Sequence, residues 1–211
     1  MILFNTIQKQ GQAEQIIEKS RFIAYASPVS SREEADSFIS GIKARHKDAT
    51  HNVPAMVIGD KFQIQWASDD GEPQGTSGAP VVQMLVKEGL TNLAVVVTRY
   101  FGGIKLGTGG LVRAYTGSAK LAIERAGICA VKDMYVFTVK LDYTYFNKLQ
   151  NLSQSGTFGI NEIVYEDSVK LFLSVEPEKK EELRQVVANV TNGTGIILEE
   201  RIDQIRVPVL D

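Results

Sequence analysis

Two glycine-dense segments decide how the chain is read: Ser68-Asp69-Asp70-Gly71-Glu72-Pro73-Gln74-Gly75-Thr76-Ser77-Gly78 and Arg99-Tyr100-Phe101-Gly102-Gly103-Ile104-Lys105-Leu106-Gly107-Thr108-Gly109-Gly110. Each follows a strand-like run and opens into a segment with helical spacing, so the first half of the chain reads as mixed α+β. Glycines at this density let backbone N–H groups crowd a ligand, and a following helix adds positive partial charge at its start. The pattern predicts an anion-tolerant surface built from two loops, without naming the ligand.

Working outward, Phe62 to Trp66 delivers the chain into the first loop, and Val53 to Ile58 precedes it across Gly59-Asp60, a pair suited to a tight hairpin. After the loop, Ser77 is the expected N-cap, Pro80 sits in the first turn, and Val81, Val82 and Leu85 give the helix its apolar side up to Gly89. Leu93 to Thr98 is almost wholly apolar, as in a strand buried on both faces. The second loop leads into a helix over Leu111 to Ala126, where Arg113, Gly117, Lys120 and Glu124 form a polar stripe opposite Leu111, Tyr115, Ala119 and Ala122. Upstream, Ile16 to Ala26 reads as one strand. Ser31 with Glu34 forms a capping-box signal ahead of Ala35, Phe38, Ile39 and Ile42.

Downstream of Met134 the pattern changes. Strand, helix, two strands around Glu166-Asp167-Ser168, helix and strand follow one another, with apolar sets such as Phe146, Leu149, Leu152 and Leu183, Val186, Val187, Val190. That order is the βαββαβ of a ferredoxin-like domain. The boundary falls near Cys129 to Asp133, giving domains 1–130 and 131–211.

Composition bounds the function. With 211 residues, 44% hydrophobic and 23% charged, the chain is an ordinary globular protein able to bury a good core. The apolar start Met1-Ile2-Leu3-Phe4 stops at Asn5, so neither a signal peptide nor a membrane span is expected and the expected location is cytoplasmic. One cysteine, Cys129, excludes an internal disulfide and a cysteine-based zinc cluster. The formal net charge of −2 hides an asymmetry, because Glu88 to Glu124 encloses no acidic residue yet holds Arg99, Lys105, Arg113 and Lys120. Such a local field favours phosphate or an RNA backbone.

The second loop does not match the known nucleotide fingerprints. Gly107-Thr108-Gly109 is followed by Gly110-Leu111-Val112, which lacks the last glycine of G-x-G-x-x-G, and no Walker Lys-Ser/Thr pair is present. There is no HExxH pair and no marked Ser-His-Asp or Cys-His arrangement, so no catalytic residue, metal or cofactor is assigned. Three readings stay open. In the first, Arg99, Tyr100, Phe101, Gly102, Gly103, Lys105, Gly107, Gly109, Arg113 and Lys120 bind RNA or the ribosome, with Asp69, Asp70, Glu72, Thr76 and Ser77 as the second loop of the site. In the second, a Mg²⁺-dependent enzyme binds phosphate or nucleotide, with Asp69, Asp70 or Glu72 on the metal. In the third, Tyr100 and Phe101 anchor a protein partner. Glycines serving only turns and packing are the plain alternative to all three.

Ser68 to Pro73, Gly75 to Gly78, and Val96-Val97-Thr98-Arg99-Tyr100-Phe101-Gly102-Gly103-Ile104-Lys105-Leu106-Gly107 closely resemble the signature of the IMPACT family, whose bacterial members are of the YigZ type. Lys19-Ser20-Arg21-Phe22-Ile23 and His51-Asn52 are similar to its upstream landmarks. The resemblance implies an N-terminal domain like domain 2 of a small-subunit ribosomal protein, a fold shared with domain IV of elongation factor G. It also implies a C-terminal ferredoxin-like domain similar to domain V of that factor. It further implies a link to translation, since eukaryotic relatives restrain the kinase that shuts translation down in amino-acid starvation. It carries over no catalytic residue.

Overall fold

Apolar spacings of two and of about 3.6 residues alternate along the chain. The computed structural model, which describes residues 1–209, turns them into β1 (Ile2–Ile7), β2 (Gly11–Ile17), β3 (Ser20–Pro28), α1 (Arg32–Arg45), β4 (His51–Ile58), β5 (Ile64–Ala67), α2 (Gly78–Lys87), β6 (Leu93–Tyr100), α3 (Gly107–Ala126), β7 (Ile128–Leu141), α4 (Tyr143–Ser153), β8 (Gly159–Tyr165), β9 (Val169–Val175), α5 (Lys180–Val190) and β10 (Ile196–Pro208). The protein is mixed α+β and packs as two units. One is Ile2–Val131 with the segment from Arg206, and the other is Lys132–Ile205 with Met1.

In the first unit β2-β3-β6-β4-β5 form an antiparallel sheet with β6 at its centre. Side chains alternate across a strand. Val95 and Val97 therefore join the core under α2 and α3 with Phe22, Leu85 and Tyr115, while Ala94 and Val96 join the opposite core under α1 with Ile23, Ile39 and Met56. Burial on both faces explains the unbroken apolar run of β6. Each fully buried Val or Leu contributes on the order of 1.5–3 kcal/mol relative to exposure. The Ser31 hydroxyl caps α1 by accepting from the Glu34 N–H at 3.2 Å, and Ala35, Ile39 and Ile42 are the buried face of that helix.

Several local expectations change. The run from Ile16 to Ala26 is two strands, because Glu18 and Lys19 both adopt left-handed φ (45° and 63°) and turn the chain between β2 and β3. The Gly59-Asp60 hairpin is longer than a two-residue turn: β4 and β5 close at Ile58 opposite Ile64, and Phe62 is left-handed. α3 starts four residues earlier than Leu111, taking Gly107 to Gly110 into its first turn. Strand β1 and the part of β2 before Ile16 carry no clean alternation at the sequence level and add to the expected elements.

In the second unit β7 pairs with β9 and β8 with β9, both antiparallel, and β10 pairs with β7. The resulting order β10-β7-β9-β8 with two intervening helices is the ferredoxin-like arrangement. Its core is Phe137, Val139, Leu149, Leu171, Leu173, Leu183 and Val187. Among the described residues no helix is long and apolar enough to cross a membrane.

Candidate functional site

The first glycine-rich loop is folded by its own acids. Asp69 accepts from the Ser77 hydroxyl (2.6 Å) and from the N–H groups of Gly75 (2.7 Å), Gly78 (2.9 Å) and Ser77 (3.2 Å). Burial raises the Asp69 pKa, but these donors outweigh it and hold the carboxyl below its ordinary value. The start of α2 is therefore capped by Asp69; Ser77, the expected N-cap, donates its hydroxyl to that carboxylate and caps nothing itself. Thr76 turns inward and donates to the Pro73 carbonyl at 2.6 Å.

Asp70 is held just as fully. One carboxylate oxygen accepts from Lys43 Nζ (2.7 Å) and the other from the Asn52 N–H (2.6 Å). Its carbonyl lies 2.8 Å from His51 Nδ1, which must be the donor, so this ring nitrogen carries the proton. The carboxylate oxygens that a Mg²⁺ ion would need are thus already engaged, those of Asp69 by the loop's own donors and those of Asp70 by Lys43 of α1 and the Asn52 N–H of β4. Among the described residues no three His, Cys, Asp or Glu side chains group to hold a metal ion.

Glu72 closes the first loop on the second. Its Oε1 accepts from Arg99 Nη1 at 2.7 Å and from the Tyr115 hydroxyl at 2.6 Å, with His51 Nε2 at 3.7 Å. Arg99 is only 4% exposed and Tyr115 fully buried. Burial, then the hydrogen bond to Glu72, push the Tyr115 pKa far up, so this hydroxyl stays a donor. Arg99 Nη2 also donates to Ser20 Oγ at 3.2 Å, and its guanidinium lies near the rings of both Phe22 (5.4 Å) and Phe101 (5.3 Å). Four segments therefore meet at one ion pair: the start of β3, the first loop, the end of β6 and α3.

Alternation along β6 separates residues that adjoin in sequence. Arg99 points toward α3, whereas Tyr100 points toward α1, its hydroxyl 2.8 Å from His46 Nδ1; His46 Nε2 lies 2.7 Å from the Tyr25 hydroxyl. Burial, then Arg45 and Arg21, lower the His46 pKa. Arg99, Tyr100 and Phe101 thus do not share one face. Arg99 is an internal ion-pair partner, and Tyr100 is a half-buried clamp on α1. Phe101 stays 46% exposed.

The cations also divide. Lys120 pairs with Glu88 at the end of α2. Lys105 and Arg113 are exposed, and among the described residues neither has a carboxylate within 4.0 Å. Gly103, Gly107 and Gly109 are exposed beside them. Gly102 is required by close approach: a Cβ there would lie 2.0 Å from the Lys19 carbonyl oxygen. That contact brings Lys19, exposed on the β2–β3 turn, to the edge of the second loop. In the sequence Lys19 is only an upstream landmark, because nothing in Glu18-Lys19 marks a left-handed turn.

With this geometry in view, the relatives agree with the signature. Residues 18–123 match the family model described as the Impact N-terminal domain, and residues 139–194 match a domain of unknown function, DUF1949. The Bacillus subtilis IMPACT family member YvyE is 42% identical over 194 residues, covering 92% of this chain and 89% of that protein. The Escherichia coli IMPACT family member YigZ is 33% identical over 180 residues, covering 84% and 88%. A crystal structure of a hypothetical protein superimposes with a TM-score of 0.58 at 31% identity, covering 92% of this chain and 96% of that one.

Proposed function

The chain belongs to the IMPACT family, and from that footing we propose that it is a cytoplasmic, non-enzymatic factor that binds RNA or a ribosomal surface and acts in the regulation of translation. One observation carries the reading. The acids of the first loop are all engaged internally, by Ser77 and backbone N–H groups, by Lys43 and Asn52, and by Arg99 and Tyr115. Around the start of α3, Lys105 and Arg113 instead face solvent, and among the described residues neither has a carboxylate within 4.0 Å. The second glycine-rich loop thus offers an outside partner positive charge and the N–H groups at the start of α3, which is the chemistry of a phosphate backbone. The family resemblance supplies the link to translation.

Titration of the full chain against ribosomal RNA fragments across salt concentrations tests the proposal. Log affinity should fall linearly with log salt, with a slope of about −0.7 to −0.9 per phosphate contacted. Binding that ignores salt, or none at all, contradicts it.

A further inference from the structure

We infer that the RNA segment held at this face is single-stranded and that one of its bases stacks on the outer face of Phe101, with Lys19 on a neighbouring phosphate. This deepens the reading above and rests on it. Phe101 is nearly half exposed, yet its backbone is fixed on both sides. Its own N–H donates to Thr50 Oγ1 at 3.0 Å, and the next N–H, of Gly102, donates to Ser20 Oγ at 3.2 Å. The Arg99 guanidinium lies 5.3 Å from the centre of this ring and 5.4 Å from that of Phe22, its cross-strand neighbour. Phe101 thus sets a ring beside a buried guanidinium while nearly half of the residue stays open to solvent.

A preformed aromatic platform loses little entropy on binding and accepts any base, because every base has a π face. A duplex keeps its base faces inside its own stack and offers only phosphates and groove edges, so it makes no use of such a ring. Lys19 is fixed beside the platform by the close approach of its carbonyl to Gly102, and among the described residues it has no carboxylate within 4.0 Å. Lys105, at the other end of the same loop, is exposed and likewise has no carboxylate within 4.0 Å among the described residues. Glu18 and Asp48 are exposed acids on the flanking turns and oppose the interaction.

The plain alternative is that Phe101 only shields the Arg99–Glu72 pair from water, a task that leucine performs as well. Binding of a labelled uridine dodecamer and of an RNA duplex of equal length is therefore compared for the full chain and for Phe101→Leu, with melting temperature followed alongside. A second variant, Phe101→Trp in a Trp66→Phe background, makes the platform the sole tryptophan, since Trp66 is the only one in the chain. The inference predicts that the single strand binds better than the duplex and that Phe101→Leu weakens it at least about fivefold at unchanged melting temperature. It also predicts that RNA quenches the tryptophan platform and that Lys19→Ala reduces the salt slope by about 0.7. Single-strand binding that is untouched by Phe101→Leu, gives no quenching, or is matched by the duplex overturns the inference and leaves the proposed function standing. Failure of the wild-type chain to bind the dodecamer, the duplex and ribosomal RNA fragments alike overturns both.

Discussion

The two glycine-rich loops are alike in composition and opposite in how they use charge. Residues 68–78 engage all three carboxylates within the protein, where Asp69 caps α2, Asp70 ties Lys43 to β4, and the buried Glu72 neutralises Arg99. Residues 101–110 carry no acid, and their one cation, Lys105, faces solvent. Charge counted along the chain is therefore a poor guide to the field outside the protein. Of the four cations between Glu88 and Glu124, Arg99 and Lys120 are neutralised by acids lying outside that interval, Glu72 and Glu88. The family signature accordingly divides into a part that holds the loops together and a part that faces solvent.

This contrast is open to direct challenge. The largest effect is expected at the closed loop: Glu72→Gln leaves the Arg99 charge buried without its partner and should cost about 3–5 kcal/mol in urea unfolding. Adding Arg99→Met should recover much of that loss, since the buried charge left without a partner is then removed, and the amide introduced at position 72 can still accept from the Tyr115 hydroxyl. Failure of the double variant to recover would mean that Arg99 does more than neutralise Glu72.

A smaller effect is expected at Asp69. Asp69→Asn keeps the shape but weakens the cap of α2 and the bonds to Gly75 and Ser77, a loss of about 1 kcal/mol at neutral pH. Because the folded pKa of Asp69 is depressed, its stabilisation is full above the ordinary carboxyl value of 3.8 and is lost as pH falls through the lower folded value. Stability curves of wild type and Asp69→Asn should therefore converge on acidification, and curves that stay parallel would contradict this role. At the exposed end of the scale, Lys120→Ala removes a surface pair with Glu88 and should change stability by less than about 1 kcal/mol.

Much of the scaffold was legible in the sequence. Ser31 and Glu34 marked the start of α1, the apolar run marked β6 as a central strand, and the order of elements after Met134 marked the second unit. What stayed hidden has physical causes. The β2–β3 turn rests on left-handed Glu18 and Lys19, where neither glycine nor asparagine announces it. Arg99 and Tyr100 read as one basic and aromatic patch until the pleat of β6 sends them to opposite faces. Asp69 acts at the start of a helix nine residues downstream, so its partners become visible only once the loop is closed.

The measurement that bears most directly on the inward–outward division of charge follows the melting temperature and ribosomal RNA affinity of Lys105→Glu/Arg113→Glu together. The account predicts an unchanged melting temperature, at least about a tenfold loss of affinity at low salt, and a salt slope shallower by about two contacts. Unchanged affinity, or a loss of affinity that follows a loss of stability, would contradict it.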